Sequence, residues 1–176
     1  MLERIEIVNG DITLQKVDAI VNAANNAMCG GGGVDGAIHR AAGSGLLTEC
    51  RKAGGCKTGE SKLTGGYQLY AKHIIHTVGP VWYGGDRSEA TLLASCYQQS
   101  LQLALDNQIK TIAFPAISCG SYRYPIDKAC AIAVTEVSAF LQQFEEIEKV
   151  VFVCFDTKVE RQLNQALVNV RESNAR

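Results

Sequence analysis

The chain has 176 residues, 47% of them apolar, with 17 Lys and Arg against 18 Asp and Glu. That length favours one domain, since domains commonly run ~100–200 residues, and the apolar share is enough for a core and argues against disorder. A formal charge of −1 lacks the positive excess of a basic-patch nucleic-acid binder, so that partner is not expected. No run approaches the ~18–20 apolar residues needed to span a bilayer. Met1 to Glu6 alternates charged and apolar residues, without the apolar centre of a signal peptide. The expectation is a cytoplasmic protein away from membranes and, with no apolar surface stripe evident, a monomer.

In chain order, Ile5–Val8 is short and β-branched and closes at Asn9-Gly10, and Ala19–Asn22 ends in a polar turn. Short helices fit Val34–Ala42 and Leu46–Ala53. Ser61–Leu69 is a weaker strand candidate, because Gly65-Gly66 interrupts it. His73–Val78 stops at Gly79-Pro80, and a helix over 88–106 carries the stripe Leu93, Tyr97, Leu101, Ala104 and Leu105. Thr111–Phe114 stops at Pro115; after Pro125, which suits a first helical turn, Ala129, Ala133, Val137 and Leu141 repeat at helical spacing. Val150–Phe155 is apolar throughout, as in a strand covered on both faces. Val159, Leu163, Ala166, Leu167 and Val170 mark a last helix, with fraying expected from Glu172 to Arg176. Strands alternating with helices predict an α/β layered fold on a largely parallel sheet, one domain over residues 1–171. In such sheets ligands sit at the carboxyl ends of the strands.

Seven cysteines are scattered, odd in number and without a Cys-x-x-Cys pair, so they read as reduced thiols. His73 and His76 lie three apart in a strand, where they face opposite ways, and this spacing argues against a metal site.

Two loops carry the chemical signal. Asn22–Cys29 leads through Gly30-Gly31-Gly32-Gly33 into a helix, which leaves unpaired amides free of any obstructing Cβ: an anion site built from main chain. Pro115–Pro125 (Pro-Ala-Ile-Ser-Cys-Gly-Ser-Tyr-Arg-Tyr-Pro) places small hydroxyl residues around a glycine before another helix. Two such loops at one sheet edge suit a diphosphate, which a nearly neutral protein can hold through amides. Asp35 in a first helical turn has an ordinary dipole explanation; facing a diphosphate, a carboxylate is costly unless it works there, for instance on a water. His39 one turn on can pair with it, and Asn25 alone could be a turn residue.

Gly10-Asp11-Ile12-Thr13, Val21-Asn22-Ala23-Ala24-Asn25, the run Gly30 to Gly43, His76-Thr77-Val78-Gly79-Pro80 and Phe114–Ser118 resemble a macrodomain of the MacroD-type subgroup, which includes bacterial O-acetyl-ADP-ribose deacetylases. The resemblance covers about residues 3–170 with the motifs in order. It implies a three-layer α/β/α sandwich on a mixed, largely parallel sheet of six or seven strands. It further implies an ADP-ribose ligand, with no cofactor and no metal. Asp11 and Ile12 would meet the adenine and Phe155 would stack on it. Ser118, Cys119, Gly120, Ser121 and Tyr122, with Gly32, Gly33 and Val34, would cradle the diphosphate, and Asn22 would join the ligand contacts. Asn25 and Asp35 match the family's catalytic pair, and Tyr124 its aromatic near the distal ribose. The implied activity is deacylation of O-acetyl-ADP-ribose and removal of ester-linked mono-ADP-ribose from protein Asp or Glu, through a water at Asn25 and Asp35. The implied partners are ADP-ribose, O-acyl-ADP-ribose and mono-ADP-ribosylated proteins. The alternative is a reader that binds ADP-ribose without cleaving it. Two departures stand out: Cys119, where relatives often carry Thr, and Arg123, where Gly is common.

Overall fold

The computed structural model describes all 176 residues. Six strands form one sheet: β1 (Ile5–Asn9), β2 (Ala19–Ala23), β3 (Ser61–Gly65), β4 (His73–Thr77), β5 (Thr111–Phe114) and β6 (Lys149–Cys154). Five helices surround it: α1 (Gly33–Ala42), α2 (Ser44–Ala53), α3 (Glu89–Asp106), α4 (Ile126–Gln143) and α5 (Thr157–Asn174). The order across the sheet is β1-β6-β5-β2-β4-β3, with every pair parallel except the antiparallel edge strand β3.

Alternation along the strands builds the three layers. Ala19, Val21, Ile112, Phe114, Val150, Phe152 and Cys154 face the core under α3, α4 and α5. Their neighbours Ile20, Ala113, Val151 and Val153 face the core under α1 and α2. Three helices cover one face and two the other, so the central strands are buried on both sides and read as unbroken apolar runs. Tyr97 of α3 closes the larger core against Phe114, with ring centroids 5.0 Å apart.

Boundaries differ from expectation where local chemistry intervenes. The weak strand candidate stops at Gly65, because the chain turns at Gly66, where a Cβ would collide with the Ala71 carbonyl. Val78 and Phe155 fall outside their strands, and Pro125 stands just before α4 as its cap. The tail expected to fray from Glu172 is helical to Asn174, since no glycine or proline stops it and the Ala175 amide still bonds Arg171 O. The chain leaves β2 toward β4 on one side and β5 toward β6 on the other. That reversal opens a crevice above β2 and β5, at the carboxyl ends of the parallel strands.

Candidate active site

A cavity of about 510 Å³ fills the crevice. The carboxyl ends of four parallel strands and the segments that follow them line it: Ala23–Asn25 at the end of β2, Gly79 after β4, Pro115–Tyr122 after β5 and Val153–Asp156 at the end of β6. Gly31–Asp35 completes the wall at the start of α1.

Two sets of amides face this space. Gly32 caps α1 with no side chain, so the amides of Gly33, Val34 and Asp35 keep their hydrogens free. Across the crevice the Gly120, Ser121 and Tyr122 amides donate to no protein group, while Arg123 N–Gly120 O (3.0 Å) and Tyr124 N–Ser118 O (3.0 Å) hold the loop's curl. Ser118 and Arg123 adopt left-handed backbone (φ +67° and +62°), a conformation that costs a non-glycine residue roughly 1–2 kcal/mol and concentrates at binding sites. Such a concave pair of amide clusters accepts anions without lysine or arginine.

Asn25 and Asp35 meet at one end of the cavity, on either side of Gly31. A Cβ built on Gly31 would lie 3.2 Å from both Asn25 Nδ2 and Asp35 Oδ2, so any side chain there would press both groups back by a few tenths of an ångström. Asn25 is tied into its own turn, donating to Gly30 O (3.2 Å) and accepting from Met28 N (3.1 Å). Asp35 is buried; its Oδ1 accepts from Asn22 Nδ2 at 2.8 Å and lies 3.4 Å from His39 Nε2, and its Oδ2 has no partner. A buried carboxylate with one oxygen held and the other free is equipped to accept a proton or to orient a water.

Of the expected ligand contacts, Gly32, Gly33, Val34, Ser118, Cys119, Gly120, Ser121, Tyr122 and Phe155 line the cavity. Phe155 is 65% exposed at the rim, as a stacking surface requires. Asp11 and Ile12 lie outside the lining: Asp11 caps a turn through Thr13 N (2.9 Å), and Ile12 is buried in the smaller core. The Gly10 amide bonds Cys154 O (3.0 Å), so the Asp11 turn runs beside the strand end that carries Phe155. Asn22 is buried beneath the floor, holding Asp35.

The resemblance puts Tyr124 near the distal ribose; in the structure Tyr124 is buried against Trp82 (ring centroids 4.7 Å), outside the cavity lining, and the tyrosine on the cavity wall is Tyr122. The reason is local: left-handed Arg123 turns the chain between them, sending one tyrosine to the crevice and the other to the core. Cys119 lines the cavity, and the neighbouring Cys130 thiol lowers its pKa while that of Cys130 is raised.

Sequence reasoning misses three contributors. Asp156 caps α5 through Val159 N (2.9 Å) and puts a second helix start on the cavity wall; an N-cap residue straight after a strand is the available signal. His76, which its spacing from His73 tests only as a metal ligand, bridges Asn22 and Thr64, with Nδ1 3.1 Å from Asn22 Nδ2 and Nε2 2.9 Å from Thr64 Oγ1. Burial drops its pKa to about 4; the neighbouring His39 charge adds to the drop and Glu49 opposes it.

Glu89 is the third. Its carboxylate accepts from the amides of Tyr83 (2.9 Å), Gly85 (2.9 Å) and Arg87 (2.6 Å), closing the 81–88 loop on itself. That loop in turn donates from Trp82 N to Tyr122 O (2.8 Å), bracing the Ser118–Tyr124 loop. Burial alone would raise this carboxyl, but the amide bonds prevail and bring it to about 2, against an ordinary 4.5. The folded value is depressed, so its stabilisation is complete above about pH 4.5 and vanishes as pH falls toward 2. Glu89→Gln should therefore lower Tm most at neutral pH, with the gap to wild type closing on acidification. A constant gap across that range in thermal melts would show that the carboxylate charge is not what holds the loop.

Residues 21–133, more than half of the chain, match the Macro domain family. An O-acetyl-ADP-ribose deacetylase of Klebsiella pneumoniae (strain 342) is 55% identical over 155 residues, 86% of this chain and 89% of that protein. An ADP-ribose glycohydrolase MACROD2 of Xenopus laevis is 51% identical over 171 residues, 94% of this chain and 41% of that protein. The solved Trypanosoma brucei macrodomain in complex with ADP-ribose has a TM-score of 0.88 at 44% identity, covering 93% of this chain and 69% of that one. By sequence match and by fold alike, the chain belongs to the macrodomain family.

Proposed function

We propose that this macrodomain binds ADP-ribose along the crevice and hydrolyses esters of its distal ribose, O-acetyl-ADP-ribose and ester-linked mono-ADP-ribose on protein Asp or Glu among them. The observation that carries the reading is the free, buried Oδ2 of Asp35 beside Asn25, at the end of a cavity whose walls offer two sets of unpaired amides. Relatives named for deacetylase and glycohydrolase activity, and one solved with ADP-ribose, support the same ligand and class of reaction.

The diphosphate lies between the amides of Gly33–Asp35 and those of Gly120–Tyr122, with adenine toward Phe155 and Asp11 and the distal ribose toward Asn25. Asp35 Oδ2 takes a proton from a water as the water oxygen attacks the ester carbonyl. The carbonyl–ribose C–O bond then breaks, the ribose oxygen leaves with a proton, and the products are ADP-ribose and a carboxylic acid. In this scheme the main-chain amides offset the phosphate charge, and no metal takes part.

Incubation with O-acetyl-ADP-ribose should release acetate, and calorimetric titration with ADP-ribose should show one saturable site. Saturable binding with acetate release no faster than in buffer would make the protein a reader; no binding would remove the ligand assignment itself.

A further inference from the structure

Beneath the cavity floor, outside its lining, three buried polar side chains that the reaction scheme does not use, Asn22, His76 and Thr64, lead up to Asp35. Asn22 of β2 and His76 of β4 are register partners across the sheet, and Thr64 of β3 reaches the same imidazole from the far side. The bonds run Asp35 Oδ1–Asn22 Nδ2 (2.8 Å), Asn22 Nδ2–His76 Nδ1 (3.1 Å), His76 Nε2–Thr64 Oγ1 (2.9 Å) and Thr64 Oγ1–Gly65 O (3.1 Å).

Donor counting fixes the direction of every bond. The Thr64 hydroxyl gives its proton to the Gly65 carbonyl and so accepts from His76 Nε2, which places the ring proton on Nε2. His76 Nδ1 is left as a bare lone pair, which accepts one Nδ2 hydrogen of Asn22. The other Nδ2 hydrogen goes to Asp35 Oδ1. Asn22 Oδ1 is buried without a partner, so nothing holds this amide in its orientation except its two Nδ2 bonds. One of them ends on the carboxylate being positioned, and the independent anchor is therefore His76.

We propose that His76 is a positioning residue for ester hydrolysis: through Asn22 it holds one oxygen of Asp35 and leaves the other aimed at the attacking water. This rests on the proposed reaction at Asp35. Without the Nδ1 acceptor the Asn22 amide rotates about its terminal torsion, and the Asp35 carboxylate gains freedom at the point where the water must be aligned. Misplacement of a catalytic group by ~1 Å can cost about 10²-fold in rate. Ground-state ligand contacts lie elsewhere, on the amide walls, so the loss falls on kcat and not on affinity.

The test compares His76→Leu, which fills the space without an acceptor, with His76→Gln, whose Oε1 can accept from Asn22 and whose Nε2 can donate to Thr64. In the full chain, His76→Leu should lower kcat for O-acetyl-ADP-ribose by about 10–100-fold with the ADP-ribose Kd unchanged within about threefold. His76→Gln should recover most of that turnover. Should His76→Leu fail to fold, Thr64→Val, which removes the bond that sets the tautomer, should lower kcat in the same direction with Kd preserved. Equal loss of kcat in the Leu and Gln variants, or a Tm drop with kcat intact, overturns the proposal. A readout independent of catalysis is the nitrogen-15 spectrum of the His76 ring at neutral pH, where Nε2 should carry the proton and Nδ1 should be bare. The opposite tautomer overturns the proposal whether or not acetate is released. Failure of the wild-type protein to release acetate, with the expected tautomer present, overturns the ester-hydrolase reading instead.

Discussion

Asp35→Ala is expected to reduce acetate release from O-acetyl-ADP-ribose by about 10²–10⁴-fold, the usual cost of losing a general base, while ADP-ribose binds as tightly as before or more tightly. The two parts follow from one geometry. Asp35 Oδ2 is the unpaired acceptor beside Asn25, so its removal takes away the group that receives the water's proton. The same carboxylate sits in the first turn of α1, close to where the diphosphate would meet the amides, so its charge opposes the ligand and its loss relieves that repulsion. Removing it also strands a donor of buried Asn22, which costs roughly 1–3 kcal/mol of stability. Asp35→Asn separates these effects: its oxygen can keep the bond from Asn22, but its other terminal atom cannot accept a proton. Steady-state kinetics on both variants decide the role. Near-wild-type kcat in Asp35→Asn, with a large loss in Asp35→Ala, would mean that the side chain only places the water and that a ligand phosphate activates it.

What the sequence makes legible tracks how local each signal is. The glycine run, the first-turn carboxylate and the Ser118–Tyr122 loop are contiguous, and each reaches the cavity wall because a strand end meets a helix start there. Apolar runs such as Val150–Cys154 announce buried parallel strands for the same reason: both faces are covered, and no polar alternation survives. Tyr122 and Tyr124 are harder to tell apart, because their separation depends on one left-handed residue, Arg123, that carries no glycine to advertise it. His76 and Glu89 stay hidden for a different reason. Their partners lie on other strands or in a loop that folds back, so the role exists only after Asn22 pairs with His76 in register, or after the Tyr83, Gly85 and Arg87 amides converge. Sequence spacing marks sites held by consecutive main-chain groups and misses side chains that act through tertiary pairing.

Gly79→Ala is expected to damage binding and stability together, since Gly79 is where the chain leaving β4 passes beneath the phosphate-side loop. A Cβ there would overlap the Ser118 hydroxyl oxygen and lie 2.6 Å from Ile117 Cγ2. Neither neighbour can retreat easily. Ile117 is buried in the larger core, and Ser118 is held in left-handed backbone with its hydroxyl donating to Pro80 O at 2.8 Å. Overpacking of this kind costs about 1–3 kcal/mol, or roughly 2–12 °C in Tm at this size. The strain is relieved by moving the loop outward, which carries the amides of Gly120, Ser121 and Tyr122 off the diphosphate. Each hydrogen bond lost to a charged group is worth about 1.5–3 kcal/mol, so ADP-ribose affinity should fall by about 10–100-fold. Gly120→Ala is the contrast for stability, because a Cβ at Gly120 meets nothing within 4 Å and Tm should hold. Calorimetric titration and thermal melts of the two variants separate the possibilities. A Gly79→Ala protein that melts and binds like wild type would mean that the loop does not rest on the end of β4, and that its amides are not fixed in advance for the ligand.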